Sequence, residues 1–371
     1  MVHSGKTCHT LRAAVIACGG ISHAHAHGYQ ANPEIELVAC ADIRREALDA
    51  FGEAFSVPPD KRYLDYNEML EAERPDIVSV CSHHHLHASM TIDAAARKPK
   101  AIFCEKPIAL SLGEADAMIA ACRKAGTLLM VGHQRRFSPQ YVSAYNALRA
   151  GAIGELRRIE GHGHPGSSLT VDGTHTVDLM RWYAGDAPVK WVFGQIDAHE
   201  HRSAWGGEVE NAAMALFAFD TGVQGFLTHG GYTMSSQGEK RREPIWPGVM
   251  GGNYHHIILH GTEGVIEIDG DSPTEGRPWG RLVKNGAVRE LPVEWDSSIP
   301  NHLRSAHAYL TRLLLDSLDT GAYHPLDASS ARATLEVLMA VYESSRRRAV
   351  IQLPLDVQEN PLFEMLKLDW F

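Results

Sequence analysis

The sequence is poor in the features that would suggest a disulfide scaffold, a metal knuckle, a nucleic-acid binder or a membrane span. Its six cysteines (Cys8, Cys18, Cys40, Cys81, Cys104, Cys122) lie in the first third, and no two form a CxxC pair. Four of them end apolar runs, the usual place of small buried residues, so free thiols are expected. Basic residues are not in excess: 35 Lys and Arg face 45 Asp and Glu, a net charge of -10. That balance argues against a broad phosphate-binding face, so nucleic acid is not expected as a partner. No apolar run approaches the length of a membrane span. The apolar stretch nearest the N-terminus, Ala13–Cys18, is too short for a signal core and reads as a first strand, so the expected compartment is the cytoplasm. What remains, 44% hydrophobic and 22% charged residues over 371 positions, is a globular chain too long for one ordinary core. Two domains are expected.

Residues 11–41 carry the first signal. A strand (Ala13–Ala17) meets Cys18-Gly19-Gly20, a helix can run over Ile21–Ala31, Pro33 breaks the chain, and Ile35–Ala41 is a second strand. Asp42 ends that strand about 20 residues past the glycines, where a dinucleotide fold places its ribose-binding acid. Glycines let the backbone approach a pyrophosphate, and the following helix N-terminus offers free amides. The fingerprint is imperfect, with Ala17 at its first glycine and Ser22 at its third. Arg44 and Arg45 follow Asp42 and could meet a 2′-phosphate or be solvated residues of the next helix. A carboxylate at position 42 favours NAD, with NADP left open.

Helices at Arg44–Phe55, Tyr66–Glu73, Ala88–Arg97 and Leu112–Ala125 alternate with strands at Ile77–Cys81, Ala101–Cys104 and Leu128–Val131. This alternation predicts a doubly wound parallel sheet, a Rossmann domain over 10–133. The strand at Ala101 stops against Glu105-Lys106-Pro107. In an open parallel sheet such a lysine faces the ligand crevice beyond the strand ends. A strand-ending turn with a solvated ion pair is the bland alternative. After a helix at Pro139–Ala150 the rhythm changes to strands at 156–161, 189–198, 211–219, 223–229, 256–260 and 265–269. One helix, His175–Tyr183, interrupts them; two more, His302–Leu318 and Ser329–Arg347, precede a last strand at Val350–Leu353. The expected second domain, 134–355, is α+β with a largely antiparallel open sheet. Segment 232–253 reads as a long loop, and 356–371 as a tail that packs on a neighbour or on its own subunit.

Together these pieces resemble the glucose–fructose oxidoreductase, inositol dehydrogenase and rhizopine-catabolism (Gfo/Idh/MocA) family. The resemblance rests on the altered glycine loop, Glu105-Lys106-Pro107, Gly132-His-Gln-Arg-Arg-Phe137 and Gly173-Thr-His175-Thr-Val-Asp178. Gly261-Thr-Glu-Gly264 and Tyr342-Glu-Ser-Ser345 fit the same order. It implies an NAD(P)-linked oxidoreductase of a sugar, cyclitol or related polyol, and a homo-oligomer (dimer or tetramer) formed through the C-terminal sheet. It implies cofactor contacts from Gly19, Gly20, Ile21, Asp42, Ser82, His83, His87, Glu105 and Lys106, with Glu105 at the nicotinamide ribose. Two departures stand out. Ser82-His83-His84 replaces the usual Thr-Pro-Asn. The acid usually four residues before the catalytic histidine is Val171 here, with Asp172 three before; either the loop is offset by one residue or Asp172 has no role.

Removing hydride from a secondary alcohol leaves a proton to be taken and a developing alkoxide to be stabilised. Lys106 can donate to the hydroxyl oxygen. His175, with an ordinary pKa of about 6.5, suits the general base. These two are expected to act as one catalytic unit across an interdomain cleft. Asp172 could orient His175, and Asp178 is either a supporting carboxylate or an ordinary first-turn acid. Gln134, Arg135 and Arg136 could line the substrate crevice, a surface ion pair being the alternative for either arginine. The substrate-binding set is therefore Lys106, Gln134, Arg135, Asp172 and His175. Twenty-two histidines cluster at 23/25/27, 83–85/87, 162/164, 199/201 and 255/256, but without HExxH or matching carboxylates no required metal is expected. Two other functions use the same fold: glycoside cleavage by transient oxidation, and non-enzymatic dinucleotide sensing.

Overall fold

A computed structural model describes residues 10–232, 255–271, 277–294, 302–321 and 326–368, with 302–305 as backbone only. Two compact units divide the chain. Among described residues, the first takes those up to Ile108, Asp116–Gln134 and the part of Ser297–Ala328 that is described; the second takes the rest.

Six strands build the first unit: β1 (Leu11–Ile16), β2 (Ile35–Ala41), β3 (Arg62–Tyr63), β4 (Ile77–Val80), β5 (Ala101–Cys104) and β6 (Leu128–Val131). They lie in the order β3-β2-β1-β4-β5-β6, and every pairing is parallel. β4 and β5 are buried along their whole length, as a sheet covered on both faces requires. The helices are α1 (Ser22–Gln30), α2 (Arg45–Ala54), α3 (Tyr66–Glu73), α4 (His87–Ala96) and, from Asp116 onward, α5 (Leu112–Ala125). Asp65 caps α3 by accepting from Asn67 N, and Gly126 ends α5 with φ +72. The strand order reverses between β1 and β4, which puts the ligand crevice at their carboxyl ends.

This unit also contains the helix His302–Thr320, which the sequence placed in a continuous 134–355 domain. The packing explains the difference. A Cβ on Gly28 of α1 would lie 2.6 Å from Thr311 Oγ1 and 2.9 Å from His307 O, so only glycine lets the two helices approach this closely. Asn32 donates to Ala308 O, and Arg312 pairs with Glu34 at 2.7 Å.

The second unit centres on a nine-stranded sheet. Its strands are β7 (Leu156–His162), β8 (Val189–Asp197), β11 (Ala212–Phe219), β12 (Gln224–Gly230), β13 (His256–Gly261), β14 (Val265–Ile268), β15 (Gly280–Lys284), β16 (Ala287–Glu290) and β17 (Ile351–Gln352). The order is β16-β15-β14-β13-β7-β12-β11-β8-β17, antiparallel except for β12 with β7. A separate hairpin pairs β9 (Arg202–Ala204) with β10 (Gly207–Val209). This is the α+β sheet expected from the sequence, with α6 (Pro139–Arg149) and α7 (Thr174–Tyr183) packed against it. The helix Ala328–Arg347 presents the Tyr342-Glu-Ser-Ser345 run to the sheet: Ser344 Oγ accepts from Gly194 N and Ser345 Oγ from Ile196 N. That motif is therefore architectural. Part of the tail folds within this unit as a helix, Pro361–Lys367, capped by Asn360, whose amide also donates to Leu110 O. The loop expected at 232–253 falls almost wholly outside the described residues, as do Cys8, Trp370 and Phe371. The other five cysteines are free and buried.

Candidate active site

In the first unit the expected cofactor residues gather at the carboxyl ends of β1, β2, β4 and β5. Ala17, at the position of the missing first glycine, takes φ +69, the left-handed conformation a glycine would hold without strain. A Cβ on Gly19 or Gly20 would meet nothing within 4 Å, so this face of the loop is open. α1 has no acidic residue in its first turn to repel a phosphate. The loop and helix N-terminus thus fit a dinucleotide pyrophosphate. Asp42 sits at the end of β2, where one carboxylate oxygen accepts from Cys18 N and the other from Arg44 N, both at 2.8 Å. It braces the glycine loop. Arg44 is exposed, 3.8 Å from Asp42.

Ser82 and His83 follow β4, and Lys106 follows β5 two strands from β1, a lateral separation of about 10 Å. Two of the expected residues are buried in bonds within the unit. His87 is wholly buried; its Nδ1 faces Pro107 O at 2.7 Å and its Nε2 faces Ser82 O at 3.1 Å. Burial lowers its pKa while the two carbonyls work to raise it, and the ring, set between Pro107 O and Ser82 O, lies between the two strand-end turns. Glu105 is also buried: Oε1 lies 3.0 Å from His25 Nε2 and 3.7 Å from His307 Nε2, while Oε2 accepts from Lys106 N at 3.2 Å. Its carboxylate is thus engaged within the unit. Burial works to raise its pKa, but the hydrogen bond from His25 and the nearby His307 ring hold it well below the usual range. Among the described residues, His25, Glu105 and His307 form the one group whose ligand atoms converge closely enough for a metal ion. It draws a single member, His25, from the histidine clusters visible in the sequence.

In the second unit a π-helical turn, Leu169–Gly173, leads into α7 and places His175 in the first helical turn, buried. The turn is anchored from outside: buried Glu210 accepts from Leu169 N and from Tyr342 Oη. Asp172 accepts from Ser167 Oγ at 2.7 Å. Two histidines that sequence reasoning did not assign lie close by. His255 packs edge-on to His175 with ring centroids 5.3 Å apart and bonds Thr176 Oγ1 through Nδ1. His229, at the end of β12, fills space left by two glycines: a Cβ on Gly163 would lie 1.9 Å from its ring and one on Gly173 3.1 Å. Burial pushes its pKa down to about 3, with the Asp172 carboxylate opposing and His255 and His164 adding to the fall.

Arg135 pairs with Asp271 at 2.6 Å, and Asp271 also accepts from Tyr141 Oη, so its guanidinium is held in a buried network. Arg136 is not a surface residue. It is 1% exposed and bonds Asp178 through Nε and Nη2 and Asp186 through Nη1 and Nη2. Asp178 is thereby the partner of Arg136, in a structural pair. Gln134 is buried and belongs to the first unit.

Residues 11–133 match the model of the Oxidoreductase family, NAD-binding Rossmann fold, and residues 141–267 match the GFO/IDH/MocA C-terminal domain. D-apiose dehydrogenase of Paraburkholderia graminis is 27% identical over 366 residues, 94% of this chain and 91% of that protein. Myo-inositol 2-dehydrogenase of Thermotoga maritima is 28% identical over 250 residues, 59% of this chain and 74% of its own length. An oxidoreductase of Agrobacterium radiobacter, solved with NAD+, L-tartaric acid and magnesium, shares the fold: TM-score 0.74, 20% identity, 92% of this chain and 98% of that one.

Proposed function

The chain belongs to the Gfo/Idh/MocA oxidoreductases and is an NAD-dependent oxidoreductase acting on CH–OH groups; we propose that its substrate is a sugar, cyclitol or related polyol. The observation that carries this reading is the placement, within one parallel sheet, of Lys106 at the same edge as the open Gly19-Gly20 loop. NAD supplies the hydride acceptor when bound. The glycine loop, the α1 N-terminus and Asp42 hold and orient it, Asp42 favouring a free 2′-hydroxyl over a 2′-phosphate. Gly20, Ile21, Ser82 and His83 line the same strand-end crevice. Lys106, an ammonium, donates to the hydroxyl oxygen and stabilises the charge that grows there as hydride leaves. His175 takes the hydroxyl proton, with Asp172 supporting it and Gln134 and Arg135 lending polar groups for substrate hydroxyls.

An oligomer is supported by one feature. Phe193 of β8, its partner Leu216 of β11 and Met214, two residues before Leu216, leave large apolar side chains exposed on one sheet face, which suits burial against a second copy.

The test is a panel of sugars, cyclitols and their glycosides incubated with NAD, read in parallel for NADH and for cleaved aglycone. The reading expects NADH from at least one sugar or cyclitol. Aglycone release without net NADH would replace it with glycoside cleavage by transient oxidation; neither product, with NAD still bound, would favour dinucleotide sensing.

A further inference from the structure

A directional chain of buried hydrogen bonds ends beneath the lysine. Tyr29 Oη lies 2.5 Å from Ser79 Oγ, Ser79 Oγ 2.8 Å from His25 Nδ1, and His25 Nε2 3.0 Å from Glu105 Oε1; Glu105 Oε2 accepts the backbone N–H of Lys106. All four side chains are buried. Burial keeps the His25 ring neutral, so it has one donor and one acceptor nitrogen. One arrangement satisfies every group: Tyr29 donates to Ser79, Ser79 to His25, His25 to Glu105, and Lys106 N–H to Glu105. Three elements contribute, α1 (His25, Tyr29), β4 (Ser79) and the end of β5 (Glu105). His307, on the helix His302–Thr320, closes the far side, its ring 4.9 Å from that of His25. Space for the carboxylate comes from Gly132, where a Cβ would lie 2.8 Å from Glu105 Oε1.

We propose that His25 is a positioning residue for Lys106. Resting on the assignment of Lys106 as the group that polarises the substrate hydroxyl, the proposal adds that His25 aims it through Glu105. The helix whose N-terminus receives the pyrophosphate and the turn that carries the lysine are locked into one piece by this chain. A hydrogen-bonded buried carboxylate has one favoured orientation, and each donor it loses widens its range. Misplacement of a reacting group by about 1 Å costs about 10²-fold in rate.

The experiment compares wild type with Lys106→Ala, His25→Ala, His25→Gln and Ser79→Ala. Turnover is measured on whichever sugar or cyclitol the wild type oxidises fastest, NAD affinity by calorimetry, and metal content by mass spectrometry of the purified proteins. Lys106→Ala tests the assignment of Lys106: if it keeps full turnover, that assignment fails, whatever His25 does. For the inference itself, His25→Ala should lower kcat by about 10²-fold while NAD affinity changes less than about threefold. His25→Gln, whose amide can still donate to Glu105, should recover most of the loss. A purely structural role would move both variants together with stability and give no such recovery. Should His25→Ala fail to fold, Ser79→Ala, which removes the bonds to His25 Nδ1 and Tyr29 Oη but leaves His25 and Glu105 in place, should still lower kcat with NAD binding intact. The inference is overturned if His25→Gln is as impaired as His25→Ala, if Ser79→Ala and His25→Ala both turn over normally, or if wild type binds one equivalent of metal that His25→Ala loses. The last result would make His25, Glu105 and His307 a metal centre.

Discussion

Replacing Arg136 with alanine should destabilise the second unit by about 3–5 kcal/mol, the usual cost of removing one partner of a buried ion pair. The structure decides why the effect is large. Asp178 is 1% exposed and takes two guanidinium bonds, at 2.7 and 2.8 Å. The bond it also takes from Thr334 Oγ1, at 3.3 Å, comes from a neutral hydroxyl and does not replace the guanidinium charge. Asp186 has a side chain 40% exposed, so water takes over there. Asp178→Asn should therefore cost much less than Arg136→Ala, because Arg136 still has Asp186. The double variant Arg136→Met with Asp178→Leu should be more stable than Arg136→Ala alone, since it leaves no orphaned charge. The assay is urea unfolding followed by circular dichroism at neutral pH, compared by midpoint because a two-unit chain need not unfold in one step. A midpoint for Arg136→Ala within the scatter of wild type would refute the reasoning, as would a double variant no better than the single one.

Ala17→Gly should raise thermal stability by up to about 1 kcal/mol, the relief of left-handed strain exceeding the added chain entropy, with NAD affinity undiminished; a lower melting temperature would contradict it. Asp42→Ala should narrow the preference for NAD over NADP in calorimetry and weaken both, since Asp42 also braces Cys18 N; tighter NADP binding by the unaltered protein would promote Arg44 to a phosphate ligand. Glu210 carries a pKa raised by burial against the donors Leu169 N and Tyr342 Oη. Such a carboxyl favours the fold below its unfolded pKa of about 4.3, and that contribution is lost as pH rises through the folded value. Glu210→Gln should remove this dependence, so wild-type stability relative to the variant falls with rising pH across that window; a constant difference in urea midpoint would contradict it.

The elements the sequence announced are those whose signals are local. Leu112–Ala125 has Gly126 as its stop, and Tyr66–Glu73 has Asp65 as its cap; both helices appear with the expected bounds. Strands with little apolar content escaped. Ala287–Glu290 is exposed at every position, and the Arg202–Ala204 and Gly207–Val209 hairpin has no apolar alternation long enough to read. The helix Pro361–Lys367 was legible in principle from Asn360 at its cap and Pro361 at its first position. The return of His302–Thr320 to the first unit was not, because it depends on what Gly28 omits and Thr311 and His307 supply, a contact between residues nearly 300 positions apart. The same limit applies to the site. Lys106 and His175 could be singled out from type and position, but the bond between Glu105 and His25 and the closeness of His229 to Asp172 arise only from packing.

The most direct test of the account is the turnover of Lys106→Ala, His175→Ala and their double variant on the best sugar or cyclitol with NAD. Each single change should lower kcat by about 10²–10⁴-fold, the scale of a positioned acid or base. The double should cost little more than the worse single, as groups acting in one step do. NAD affinity should fall modestly for Lys106→Ala and hardly at all for His175→Ala. Near-normal turnover by His175→Ala would remove it as the base and pass the role to Asp172; strictly additive losses would mean that the lysine and the histidine do not serve the same step.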